Sequence, residues 1–145
     1  MRRACGFTLL ELLVVISIIA FATAGVGLAM RDSGQTLLER EAARLAALLE
    51  SARAQSRASG APVRWRADAQ GFRFEGLPPS ATAALPTQWL DAGTAVRGPS
   101  PAVLLLGPEP LIPPQQVLIT HQEHPNRTLR IATDGVHPFT VEPPQ

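Results

Sequence analysis

Glu11 is the residue whose chemistry most needs an explanation in this 145-residue chain. It interrupts an apolar run from Phe7 to Met30 near its start, and no residue from Leu12 to Met30 is charged. An ionised carboxylate at helix-centre depth in hydrocarbon costs on the order of 2.5 to 3.5 kcal/mol, so an acidic residue in such a run needs a partner or a task. A cation is the natural partner. A buried carboxylate left alone is penalised, whereas one paired with a positive group is largely compensated.

The other groups capable of chemistry form no comparable case. His121 and His124 have H-x-x-H spacing and His137 follows on a later segment. A metal would need more: Cys5 is the single cysteine, no helical HExxH occurs, and the histidines flank a proline-containing stretch. No GxSxG, Walker A, Rossmann or DxDxDG pattern is present, so neither an enzyme nor a cofactor or metal site is expected. The chain has no lysine, and its thirteen arginines face twelve acidic residues, a net charge of +1. That balance gives no electrostatic footprint for nucleic acid.

The element that positions Glu11 is the apolar segment itself. Its 24 residues from Phe7 to Met30 would span about 36 Å as a helix, enough to cross a bilayer. Arg2 and Arg3 place the short N-terminus on the cytoplasmic side. Two plainer readings compete. Ala22-Thr23-Ala24 has the A-x-A form of a secretory cleavage site, but the apolar region exceeds a usual h-region of about 7 to 15 residues and contains Glu11. An ordinary anchor with an incidental glutamate is the second. A lipoprotein signal ending at Cys5 is excluded, because no apolar run precedes that cysteine.

Gly6-Phe7-Thr8-Leu9-Leu10-Glu11-Leu12-Leu13-Val14-Val15, behind a short basic leader, resembles the class III signal of type IV pilins and type II secretion pseudopilins. The resemblance implies that a prepilin peptidase cuts between Gly6 and Phe7 and methylates the new amino terminus at Phe7. Glu11 is then the fifth residue of the mature chain, and its implied role is assembly. It would pair with the amino terminus of a neighbouring subunit, a cation with an unperturbed pKa of about 7.7 to 8.0. Cys5 would leave with the leader, and with it any disulfide.

Residues 31–34, Arg-Asp-Ser-Gly, form a polar break, and Thr36-Leu37-Leu38-Glu39 fits a capping box, although continuity of one long helix is the favoured reading. Leu38, Ala42, Leu45, Leu49 and Ala52 recur at spacings that place them on one helical face, which should lie on a sheet. The other side carries Arg40, Glu41, Arg44, Glu50, Arg53 and Arg57, read either as a subunit contact or as a solvated surface. Gly60 and Pro62 stop the helix.

The period then changes to alternation. Val63–Arg66 and Phe72–Glu75 around 68–71 read as a β-hairpin, with Trp65, Phe72 and Phe74 toward the core. Gly76 to Pro101 is weakly patterned, with short candidate strands near Trp89 and Val96, and reads as either a functional loop or a disordered one. Strand signals return at 103–106, 116–120, 129–132 and 139–141, with Thr133-Asp134-Gly135 as a hairpin turn.

A second resemblance covers most of the soluble part. Leu106-Gly107-Pro108-Glu109-Pro110-Leu111-Ile112-Pro113-Pro114, followed by Arg130-Ile131-Ala132-Thr133-Asp134-Gly135, is similar to the minor pseudopilin family called general secretion pathway protein H. Its rival is a type IV minor pilin of the FimT and competence type, serving pilus assembly or DNA uptake. A membrane-anchored binding domain that never polymerises is the third reading. The expected protein is α+β and type IV pilin-like: leader 1–6, transmembrane helix 7–30, periplasmic amphipathic helix 31–59 and a β-rich domain 60–145, the last a small β-sandwich by resemblance. The family implies a place near the tip of a pseudopilus that exports folded proteins across the outer membrane. Its implied partners are other minor and major pseudopilins, the prepilin peptidase, the secretion assembly platform and the bacterial inner membrane, crossed once.

Overall fold

The computed structural model describes residues 8–82 and 85–143; Gly6, Phe7 and the leader before them lie outside the described residues. Helix α1 is Leu9–Ser59, followed by β1 Arg64–Asp68, β2 Gly71–Glu75, α2 Pro79–Thr82, β3 Thr94–Arg97, β4 Ala102–Leu105, β5 Gln115–His121, β6 His124–Thr133 and β7 Thr140–Glu142. The chain divides into two compact units, 1–34 and 35–145, and α1 contributes residues to both.

In the second unit the predicted stripe is the core face of α1. Leu38, Ala42, Leu45, Leu49 and Ala52 are all buried and join the inner residues of both sheets in one hydrophobic cluster. Burying a leucine contributes roughly 1.5 to 3 kcal/mol, which is what holds this part of the helix to the β-structure. Gly60 ends the helix in the left-handed region (φ 68°), and its N–H donates to Ser56 O at 2.9 Å. A helix C-terminus closed by such a residue needs no Cβ there.

The strands form two antiparallel sheets, β2-β1-β4 and β3-β5-β6-β7, so the architecture is α+β. The β1–β2 hairpin pairs Trp65 with Phe74 and Ala67 with Phe72, and Asp68 Oδ1 accepts the Gln70 N–H at 2.9 Å in its turn. Trp65, Phe72 and Phe74 are buried under it. Between Gly76 and Pro101 the described residues contain α2 and β3. Thr87 O accepts the Phe72 N–H at 2.9 Å, and Trp89, which lies outside any strand, packs its ring on Phe72 at 4.7 Å.

The charged residues on the opposite side of α1 divide: Arg40 and Arg57 are exposed, whereas Glu41 and Arg53 are 1% and 2% exposed. Glu41 Oε1 accepts from Arg44 Nη1 at 2.8 Å, while Oε2 accepts the Leu90 N–H at 2.5 Å. Arg53 donates to Gly135 O at 2.8 Å and to Pro110 O and His137 O at 3.3 Å each. Glu50 adds a carboxylate 3.5 Å from Arg53 Nη1 and accepts the Phe139 N–H at 3.0 Å. Charged side chains taken out of water need such partners, and here the partners are loops far along the chain. Arg53 and Glu41 are therefore fasteners between α1 and the loops.

Gly135 explains the tightness of the 133–139 turn. Its φ is 93°, and a Cβ there would lie 1.9 Å from Ile112 O. Only glycine lets the turn sit against the 110–113 segment, where Gly135 O can reach Arg53.

Candidate functional site at the N-terminal helix

The first unit is built around the apolar opening of α1. Leu9–Val26 has a mean hydropathy of 2.5, and none of it is buried within the chain. Leu9 is 83% exposed and Phe21 81%, and the large side chains between them are exposed too. Water is a poor solvent for such a surface, and a predominantly apolar segment of 18 residues suits a bilayer or neighbouring helices. Its two hydroxyl side chains are internally satisfied. Ser17 Oγ donates to Leu13 O at 2.8 Å and Thr23 Oγ1 to Ile19 O at 2.9 Å, so neither hydroxyl needs water.

Glu11 stands in the first turn of this helix and is its one charged residue from Leu9 to Val26. Its side chain has no hydrogen-bond or ion-pair partner among the described residues, in contrast to every buried carboxylate of the second unit. Its own N–H is fixed: Thr8 Oγ1 accepts it at 3.3 Å. Thr8 is non-helical and Leu9 is helical, so Thr8 is the N-cap. Thr8-Leu9-Leu10-Glu11 thus has the [ST]-x-x-[DE] form that the sequence also offers at Thr36–Glu39. A search for such boxes before amphipathic runs finds the second and passes over the first, whose context is apolar. The positive end of the helix dipole favours a carboxylate in the first turn. The arrangement therefore places a carboxyl group in the capped first turn of an exposed apolar helix. Gly6 and Phe7, the predicted cleavage and methylation positions, lie outside the described residues.

The histidines of the second unit occupy hairpin turns. His121 ends β5, its Nε2 3.3 Å from Asp91 Oδ1, and its Nδ1 accepts the Glu123 N–H at 3.2 Å. His124 begins β6 across that turn, with its ring 6.0 Å from His121. His137 Nδ1 lies 2.7 Å from Asp134 Oδ2, in a different turn. Among the described residues no three His, Cys, Asp or Glu side chains converge as a metal would require. The aspartates are instead turn anchors. The His137 ring and the N–H groups of His137 and Val136 hold the Asp134 carboxyl well below the usual carboxylate range. The Gly93 N–H lowers Asp91 in the same direction; burial opposes it, and His121 adds to the lowering.

Residues 1–27 match the family described as Prokaryotic N-terminal methylation motif, a range that includes Gly6, Phe7 and Glu11. The matched segment is a type IV pilin-like prepilin signal, which indicates a pilin-like or pseudopilin-like protein, and Leu9–Val26 is long and apolar enough to cross a membrane. The comparisons with curated proteins and with solved structures gave no match.

Proposed function

We propose that the chain is a minor pseudopilin of a type II secretion system, of the general secretion pathway protein H kind, and a peptidase substrate with no catalysis of its own. Prepilin peptidase would cut between Gly6 and Phe7 and methylate Phe7. Residues 7–30 then hold the subunit in the inner membrane, with the β-rich domain in the periplasm. Glu11 carries the reading: a carboxylate in the first turn of a capped helix, in an apolar surface, with no side-chain partner among the described residues. The amino terminus of a neighbouring subunit supplies the missing cation. An incoming subunit that meets it compensates a charge which would otherwise sit unpaired in hydrocarbon, so pairing selects for assembly.

Replacing Glu11 tests this in a strain lacking the native copy. Glu11→Leu removes a polar group from hydrocarbon and should insert at least as well as the unaltered chain. It should nevertheless abolish secretion of a reporter exoprotein and crosslinking to partner pseudopilins. Glu11→Gln keeps shape and hydrogen bonding but loses the charge, so its defect should approach that of leucine. Normal secretion and crosslinking by Glu11→Leu would overturn the pairing. Loss of pili or DNA uptake with secretion intact would assign the chain to a type IV pilus instead, and unaltered crosslinking of neither kind would indicate an anchored domain that does not polymerise.

A further inference from the structure

The second unit has a cleft of about 640 Å³ where the chain crosses from one sheet to the other. One wall is the end of the β1–β2 hairpin, Ala67 to Gln70; the other is β3, with Trp89 and Gln122 beside it. β3 is an edge strand, bonded to β5 on one side only. Gly93 O accepts the Gln122 N–H at 2.8 Å, so by the alternation of a strand Ala95 and Arg97 also turn their main-chain groups toward β5. Thr94 and Val96 turn theirs the other way. The Thr94 N–H is taken by Asp91 O at 3.0 Å, but Thr94 C=O and the N–H and C=O of Val96 have no partner among the described residues.

Thr94 is itself only 4% exposed, so the half-buried Val96 carries the unpaired N–H and C=O of this edge, and such a pair on an edge strand is what another extended chain recognises. The walls say what kind of chain. No lysine or arginine lines the cleft, and its one carboxylate, Asp68, is already occupied by the Gln70 N–H and by Arg73 at 3.2 Å. A charged side chain entering between Ala67, Ala69 and Trp89 would lose water without gaining a counter-ion. The amides of Gln70, Gln88 and Gln122 and the Trp89 ring suit neutral polar and small apolar side chains.

We infer that this cleft binds an extended, uncharged segment of a partner protein, which adds to β3 as a further strand. The inference rests on the second unit alone and stands or falls separately from the role given to Glu11. The test uses the full chain in detergent and a library of random eight-residue peptides displayed on phage. Enriched peptides should be uncharged with alternating small or apolar residues, and a synthetic copy at saturation should slow exchange of the Val96 amide at least about tenfold. Ala69→Arg, at an exposed turn position, and Gln122→Arg on the opposite wall should each weaken that peptide by about tenfold or more without changing the thermal midpoint. Using two variants from different walls guards against a folding defect in either one. No enrichment, an acidic or basic consensus, an unchanged Val96 amide, or binding that survives both substitutions would overturn the inference.

Discussion

Helix α1 treats leucine and glutamate in two opposite ways. In its first half Leu9, Leu10, Leu12 and Leu13 are exposed and Glu11 has no side-chain partner among the described residues. In its second half Leu38, Leu45 and Leu49 are buried, and both oxygens of Glu41 are bonded within the chain. The second half finds its apolar contacts and the partners of Glu41 within the second unit. The first half leaves its apolar side chains and one carboxylate without such partners, and on the function proposed above hydrocarbon and a neighbour's amino terminus supply them. Self-sufficiency in one region and dependence in the other is what a subunit requires if it is to fold before it assembles.

The largest effect that could break this contrast is a charge in the buried stripe. Leu45→Asp or Leu49→Asp should destabilise a fragment beginning at Gln35 by more than about 2 kcal/mol, read by thermal or urea unfolding. That fragment should otherwise unfold in one cooperative transition, since its core closes without residues 1–34. Equivalent changes at Leu12 or Leu13 leave its stability untouched by definition, and in the full chain they should impair membrane insertion instead.

Arg53→Leu comes next. It leaves the carbonyls of Gly135, Pro110 and His137 and the Glu50 carboxylate without their shared donor, a loss of about 3 kcal/mol on the scale of broken buried pairs. Hydrogen exchange should quicken first at 110–113 and 133–139. Glu41→Gln is milder, because an amide oxygen can still accept the Leu90 N–H; about 1 kcal/mol should be lost, measured by the same unfolding transition.

The smallest expected effect is on acid stability. The folded-state pKa of Asp134 is depressed, so its contribution is present above the unfolded value of about 3.9 and is lost as pH falls below it. Asp134→Asn should therefore flatten the fall of the thermal midpoint below about pH 4 and change little at pH 7. Both partners are largely exposed, so the effect should shrink with added salt.

How much of this was legible in the sequence depended on whether a signal was local. The stripe from Leu38 to Ala52 and the hairpin around 68–71 were readable because a helical period and an alternating one are set by the residues themselves. Pairing of β4 with β1, and of β3 with β5, was not, since nothing near Val96 or Val103 in the chain specifies which sheet each joins. Arg53 was legible only as half of an i,i+3 pair with Glu50, a pattern equally suited to a solvated face. What buries it is a set of carbonyls 57 to 84 residues later. Within the N-terminal site the opposite held: Glu11 stood out because its surroundings are wrong for it, while Thr8, which caps the same turn, was hidden by its apolar context.

The most direct test of the contrast is the mass of the mature chain in the membrane fraction. A prepilin signal predicts a protein that begins at N-methylated Phe7, with Glu11 retained in an intact apolar helix, and Gly6→Ile should block that processing. A mature protein beginning at Gly25 would contradict the account, because cleavage after Ala24 would remove Glu11 and nearly all of the exposed apolar surface of Leu9–Val26, leaving the self-sufficient half alone.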